Sequence, residues 1–143
     1  MEDIAQIYRA LSEQMRLRML MLLFQGELCV CDIMAVLEEP QSKVSRHLAY
    51  LKHSGLIQGK RVGMWTHYFL KDPLDELTAT HVKFLKKELS ALDWARSDAE
   101  KMREVQAKKL CENSPVGRRP GSKDGTAAHA KQAAMRRKKK ANS

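Results

Sequence analysis

A mainly α-helical fold with one β-hairpin is what this sequence predicts, and three observations carry it. Apolar residues recur at helical spacing in separate runs through about residue 54. The period then changes to that of extended chain over residues 56–70, and a helical pattern resumes from about residue 75.

The first helix covers residues 2–11, where Ile4, Ile7, Tyr8 and Leu11 share a face. Ser12 reads as the N-cap of a second helix running to about Phe24. That helix is apolar almost all round (Leu17, Met19, Leu20, Met21, Leu22, Leu23), so it belongs at the centre, and Gly26 ends it. A short third helix spans about 30–38, with Ile33, Val36 and Leu37 inward and Pro40 as its stop. The fourth, about 42–54, turns Val44, Leu48 and Leu51 inward and ends at Gly55. Leu56 and Ile57 begin a strand, Lys60-Arg61-Val62-Gly63 is the expected turn, and the β-branched and aromatic residues from Trp65 to Leu70 form the return strand. After Asp72-Pro73 one long helix is expected from about 75 to 112. Two helices joined by a tight turn, then glycine, then a hairpin with a basic tip, outline a winged helix-turn-helix. In the long helix Val82, Leu85, Leu89 and Leu92 are spaced three, four and three, a seam suited to a partner helix. With Ile4 and Ile7 of the first helix, it predicts a homodimer.

The chain has 143 residues and a net charge of +9. Of its 26 Lys and Arg and 17 Asp and Glu, nine bases and one acid fall in residues 117–143. The division this implies is a nearly neutral folded unit, 1–112, and a basic disordered tail, 113–143, rich in Pro, Gly, Ser, Ala and Lys. The run from Arg136 to Lys140 is a handle for phosphate or a merely solvated tail. No apolar run is long enough for a membrane span, nothing marks the N-terminus for export, and the expected location is the cytoplasm. Three cysteines, an odd number, argue against a disulfide framework there.

On the fourth helix, with Val44 inward, a step of about 100° per residue turns Ser42, Arg46, Ala49 and His53 outward. Gln41, Lys43, Ser45 and Tyr50 flank them. Small polar residues let a helix approach the major groove closely, and an arginine there reads guanine. Lys43, Lys52, Lys60 and Arg61 are placed to meet phosphates, with Arg61 near the adjacent minor groove. His47, near the inner face, reads as a packed, hydrogen-bonded residue. Any surface helix has a wet outer face; the order of the elements favours DNA.

Three stretches, Glu27-Leu-Cys-Val-Cys-Asp-Ile33, Gln41-Ser-Lys-Val-Ser-Arg-His-Leu48 and Gly63-Met-Trp-Thr-His-Tyr68, strongly resemble the ArsR/SmtB family of metal-responsive repressors, over about residues 1–110. The resemblance implies a dimeric winged-helix repressor whose third helix carries the inducer ligands, here Cys29 and Cys31, and whose reading helix is 42–54. Many arsenic-responsive members place a third Cys three residues later, where this chain has Met34, a weak thioether ligand. The third ligand is then Cys111, a small cellular thiol, or none. The cadmium-type pattern needs cysteines from an N-terminal arm, and residues 1–28 have none. The zinc-type pattern needs Asp and His pairs on the dimer helix, and His81, Glu88 and Asp93 lack that spacing.

Thiolates bind soft ions, and the positive end of a helix lowers a thiol's pKa. The implied inducer is As(III) or Sb(III), with no cofactor needed for DNA binding. In a regular helix residues i and i+2 point about 200° apart. Holding one ion is therefore expected to unwind the first turn of the third helix and misplace the reader packed beside it. Buried, inert cysteines are the plain structural alternative. A thiol-redox-responsive or other soft-metal-responsive repressor of the same fold is the functional one. An enzyme is disfavoured: there is no Cys-x-x-Cys, Gly-rich phosphate loop, nucleophile elbow or His-Glu metal motif. A sequence-indifferent nucleic-acid packer would explain the tail but not the reading helix and wing. The expected partner is double-stranded operator DNA with two half-sites about one helical turn apart.

Overall fold

The computed structural model describes residues 3–108. α1 (Ile4–Leu11) starts beneath Asp3, whose carboxylate accepts from the Ala5 N–H. α2 (Gln14–Leu23) is capped by Glu13, which accepts from the Arg16 N–H, and not by Ser12. Glu13 has the extended backbone a cap requires; Ser12 instead closes α1, its hydroxyl donating to the Arg9 carbonyl. Residues Met19 to Leu23 are all buried, which makes α2 the central helix, and Gly26 leaves it at φ 132.

A strand that the residue pattern does not foretell comes next: β1 (Leu28–Cys29), too short to display a period. α3 (Val30–Leu37) follows without a break and ends at Glu38, which is left-handed at φ 57 and donates its N–H to the Met34 carbonyl. The stop therefore lies before Pro40, whose extended backbone opens α4 (Gln41–His53). Val44, Leu48 and Leu51 of α4 are wholly buried, as the spacing predicts.

β2 (Ile57–Val62) and β3 (Trp65–Leu70) form the wing, with Lys60 opposite His67 and Arg61 opposite Thr66. The turn thus falls at Gly63-Met64, and Lys60 and Arg61 are strand residues, not turn residues; Gly63 supplies the positive φ, 65°, that the tighter reversal needs. Instead of a lone hairpin there is a three-stranded antiparallel sheet in the order β1-β3-β2, because β1 adds Leu28 opposite Tyr68 and Cys29 opposite His67. A Cβ on Gly59 would stand 3.1 Å from the Tyr68 ring, so a side chain here would crowd that ring.

The expected single helix from 75 to 112 is two. α5 (Glu76–Leu89), capped by Asp75, stops at Ser90, and α6 (Asp93–Lys108) folds back onto α2 and α3. The break buries Ala95, Asp98 and Met102, which a straight helix would carry into water. Two ion pairs fasten α6: Asp98 takes a bidentate grip from Arg18 of α2, at 2.8 and 2.9 Å, and Lys101 meets Glu38 at the end of α3 at 3.1 Å.

The predicted dimer seam needs correction. Ile7 and Val82 are core residues of this protomer, and Ile4 and Leu85 pack against that core, because α1 lies on α5 within one chain. Leu92 sits in the α5–α6 break, exposed, and Leu89 is half-buried. The apolar side chains left outside on these helices are Tyr8, Leu77 and Phe84, grouped around His81, whose ring meets Tyr8 edge-on at 5.6 Å. No described helix is long and apolar enough to cross a membrane.

Candidate thiol site and nucleic-acid interface

Cys29 is the last residue of β1 and the N-cap of α3, with φ −74 and ψ 144. Its sulfur caps the helix by accepting from the Cys31 N–H at 3.4 Å. That turn of the side chain brings the two Sγ atoms to 2.9 Å, on one side of the helix start. The premise that the two sulfurs lie on opposite sides of the helix therefore does not hold. The 200° offset applies to two helical residues, and Cys29 is an extended one. Both residues are almost wholly buried, so the corner is fixed by its packing. Two soft sulfurs at the positive end of a helix suit a thiophilic ion, to which metal–sulfur bonds run about 2.3 Å. Met34 packs on the core. Cys111, the further sequence candidate, and the tail from 113 lie outside the described residues. Among the described residues no group of three or more His, Cys, Asp or Glu side chains could hold a metal.

The outer face of α4 stands as the spacing predicts. Ser42, Arg46, Ala49, Tyr50, Lys52 and His53 are exposed, while Gln41, Lys43 and Ser45 are half-buried on its flanks. Lys43 also pairs with Glu39 at 3.2 Å. The residue that sequence reasoning missed is Arg16. Its guanidinium stacks 4.1 Å over Tyr50, donates to the Ala10 carbonyl at 2.6 Å, and lies 3.1 Å from His47 Nδ1. One α2 side chain thus holds two residues of α4, which only the tertiary fold reveals. His47 is packed and hydrogen-bonded as expected; burial lowers its pKa, against the pull of Glu13.

On the wing, Arg61 and Val62 are exposed beside the turn. Lys60 is held: its Nζ is 3.0 Å from one carboxylate oxygen of Glu27, whose other oxygen is 2.9 Å from His67 Nδ1. The hydrogen bond from Lys60, then that from His67, keep the Glu27 carboxyl below its ordinary range despite some desolvation.

A buried three-helix core, an exposed second helix after a tight turn and a twisted hairpin beside it define a winged helix-turn-helix protein. Solved structures of that class are similar to this one. HlyU from Vibrio cholerae N16961 matches at a TM-score of 0.52 and 28% identity, over 59% of this chain and 88% of that one. The homodimeric winged helix-turn-helix DNA-binding domain of Mb0332 from Mycobacterium bovis matches at 0.51 and 27%, over 63% and 84%. The profile of the bacterial regulatory protein, arsR family, matches residues 13–58. The arsenical resistance operon repressor of Escherichia coli K12 is 46% identical over 66 residues, 46% of this chain and 56% of the relative, so the chain spans little more than half of it. The arsenic resistance transcriptional regulator ArsR1 of Pseudomonas putida is 32% identical over 100 residues, 69% of this chain and 77% of the relative. The chain belongs to the arsR family of bacterial regulatory proteins.

Proposed function

We propose that this chain is a DNA-binding transcriptional repressor, not an enzyme, that holds its operator as a homodimer and leaves it when arsenite or antimonite binds Cys29 and Cys31. One observation supports the effector: the two sulfurs converge to 2.9 Å at a helix N-cap, close enough for one soft ion to meet both. The reader is the α4 face of Gln41, Ser42, Lys43, Ser45, Arg46, Ala49, Tyr50 and His53, with Lys60 and Arg61 reaching the phosphates and the minor groove from the wing. Relatives named as arsenical resistance repressors support this reading.

The third ligand of a three-coordinate ion is Cys111 or a small cellular thiol. α6 lies along α3, and its described end, Lys108, is only a few residues before Cys111. The dimer forms through the exposed Tyr8, Leu77 and Phe84 face of α1 and α5, with Leu89 and Leu92 at its margin; the homodimeric Mb0332 domain supports a two-fold arrangement. DNA binding needs no cofactor. The protein works in the cytoplasm, with residues 1–112 as the folded unit and the basic residues 113–143 adding sequence-indifferent affinity. Thiol oxidation is the second reading, favoured by the same adjacency of the sulfurs: each would lose a proton, joining as a peroxide is reduced to water.

The test is fluorescence anisotropy on DNA from upstream of the gene, with the protein reduced. Arsenite is expected to weaken binding by roughly 5–150-fold, the range of a 1–3 kcal/mol coupling, and Cys29→Ser/Cys31→Ser to abolish the effect. Release by peroxide alone would move the effector to the second reading. Equal binding to random DNA would sink the repressor.

A further inference from the structure

The thiol corner and the wing occupy one row of the sheet. Cys29 on β1 is paired with His67 on β3, and His67 is paired on its other side with Lys60 on β2. A side-chain clamp runs along the same row. Glu27, just before β1, spans the three strands, its two carboxylate oxygens 2.9 Å from His67 and 3.0 Å from Lys60. Lys60 is followed by Arg61, the exposed base nearest the wing turn.

We propose that Glu27 is a positioning residue that couples the thiol site to the DNA-contacting wing. The inference rests on the reading of Cys29 and Cys31 as the inducer site. It takes a route that asks no unwinding of α3, since the sulfurs already converge. β1 is two residues long, and Cys29 is at once its last residue and the cap of α3. An ion shared by the two sulfurs draws the Cys29 sulfur from its hydrogen bond with the Cys31 N–H, and the shift passes to β1, of which Cys29 is the last residue. Glu27 moves with it. Its carboxylate then carries Lys60 and Arg61 away from the phosphate line, because an ion pair fixes position more than it stabilises on so exposed a surface. Without that carboxylate Lys60 is free to follow the phosphates whether or not the thiols are occupied.

The measured quantity is the ratio of operator Kd with and without sodium arsenite, for the full chain and for Glu27→Gln. The variant is expected to lower that ratio roughly fivefold or more, within the span of ordinary couplings. Its arsenite affinity without DNA and its melting temperature should match wild type, which a merely structural role would not allow together with a lost coupling. Lys60→Gln should also lower the ratio, and in addition reduce the slope of log affinity against log salt by about one. An unchanged ratio in Glu27→Gln, with wild type released normally, overturns this inference and leaves the proposed function standing. A wild type that arsenite does not release overturns the proposed function, and this inference with it.

Discussion

α3 and α4 are neighbours joined by a tight turn, yet they live in different surroundings. Five of the eight residues of α3 are buried, and α4, α6, β1 and β3 all touch it. α4 buries only three of its thirteen, in one stripe, and leaves the opposite face to water. A close-packed helix transmits any change to its neighbours, whereas an open face reports only to what docks on it. In the proposed function the sensor thus lies where a new bond would be felt, and the reader where a side chain can be changed without disturbing the fold.

The largest expected effect removes the cover from α3. Asp98 is nearly buried and binds Arg18 through two short hydrogen bonds, so Asp98→Ala leaves a partly buried guanidinium without its counter-charge. A broken buried pair costs about 3–5 kcal/mol, and the quarter exposure of Arg18 points to the lower end. For a domain near this size that lowers the melting temperature by about 10 °C or more, measured by circular dichroism. A change of only a degree or two would mean that α6 is not held over α3 as described.

Next is the open face. Arg46→Ala is expected to weaken operator binding about tenfold or more, since a bidentate arginine–guanine contact is worth roughly 1–3 kcal/mol of discrimination. Its melting temperature should stay at the wild-type value, because surface substitutions cost within about 0.5 kcal/mol. Loss of both affinity and stability would break the contrast between the two helices; loss of neither would remove Arg46 from the reader.

The same contrast explains what was legible in the sequence. Val44, Leu48 and Leu51 announce the inner face of α4 because a half-buried helix must carry its apolar residues at helical spacing, and the outer residues follow by rotation. β1 was invisible, since two residues cannot show an alternation, and with it went the fact that Cys29 is extended. The placement of the two sulfurs on opposite sides of α3 was misjudged for that reason alone. The α5–α6 break was hidden because Ser90, Ala91 and Leu92 contain no proline or glycine; what bends the chain there is the burial of Met102 and the Arg18–Asp98 pair, a contact 80 residues apart. Ile7 and Val82 misled for a related reason: a seam that meets a partner helix and one that meets its own chain have the same spacing.

The smallest effect concerns His47, which ties α4 to α2 through Arg16. Arginine has no acceptor, so Arg16 must donate to His47 Nδ1, and the ring is neutral with its proton on Nε2. Desolvation by burial, the largest cause, holds its pKa below the ordinary 6.5; Glu13 opposes, while Arg16, Arg46 and Lys43 add to the lowering. With the folded value depressed, the unfolded chain takes up the proton first. Stability is then complete above pH 6.5 and falls as the pH drops from there through the folded value. Urea denaturation across that range should show His47→Gln losing less stability than wild type on the acid side, with the two converging in slope above neutrality. A steeper acid loss in the variant would mean that the folded state favours the imidazolium, and that Glu13 rather than burial governs this site.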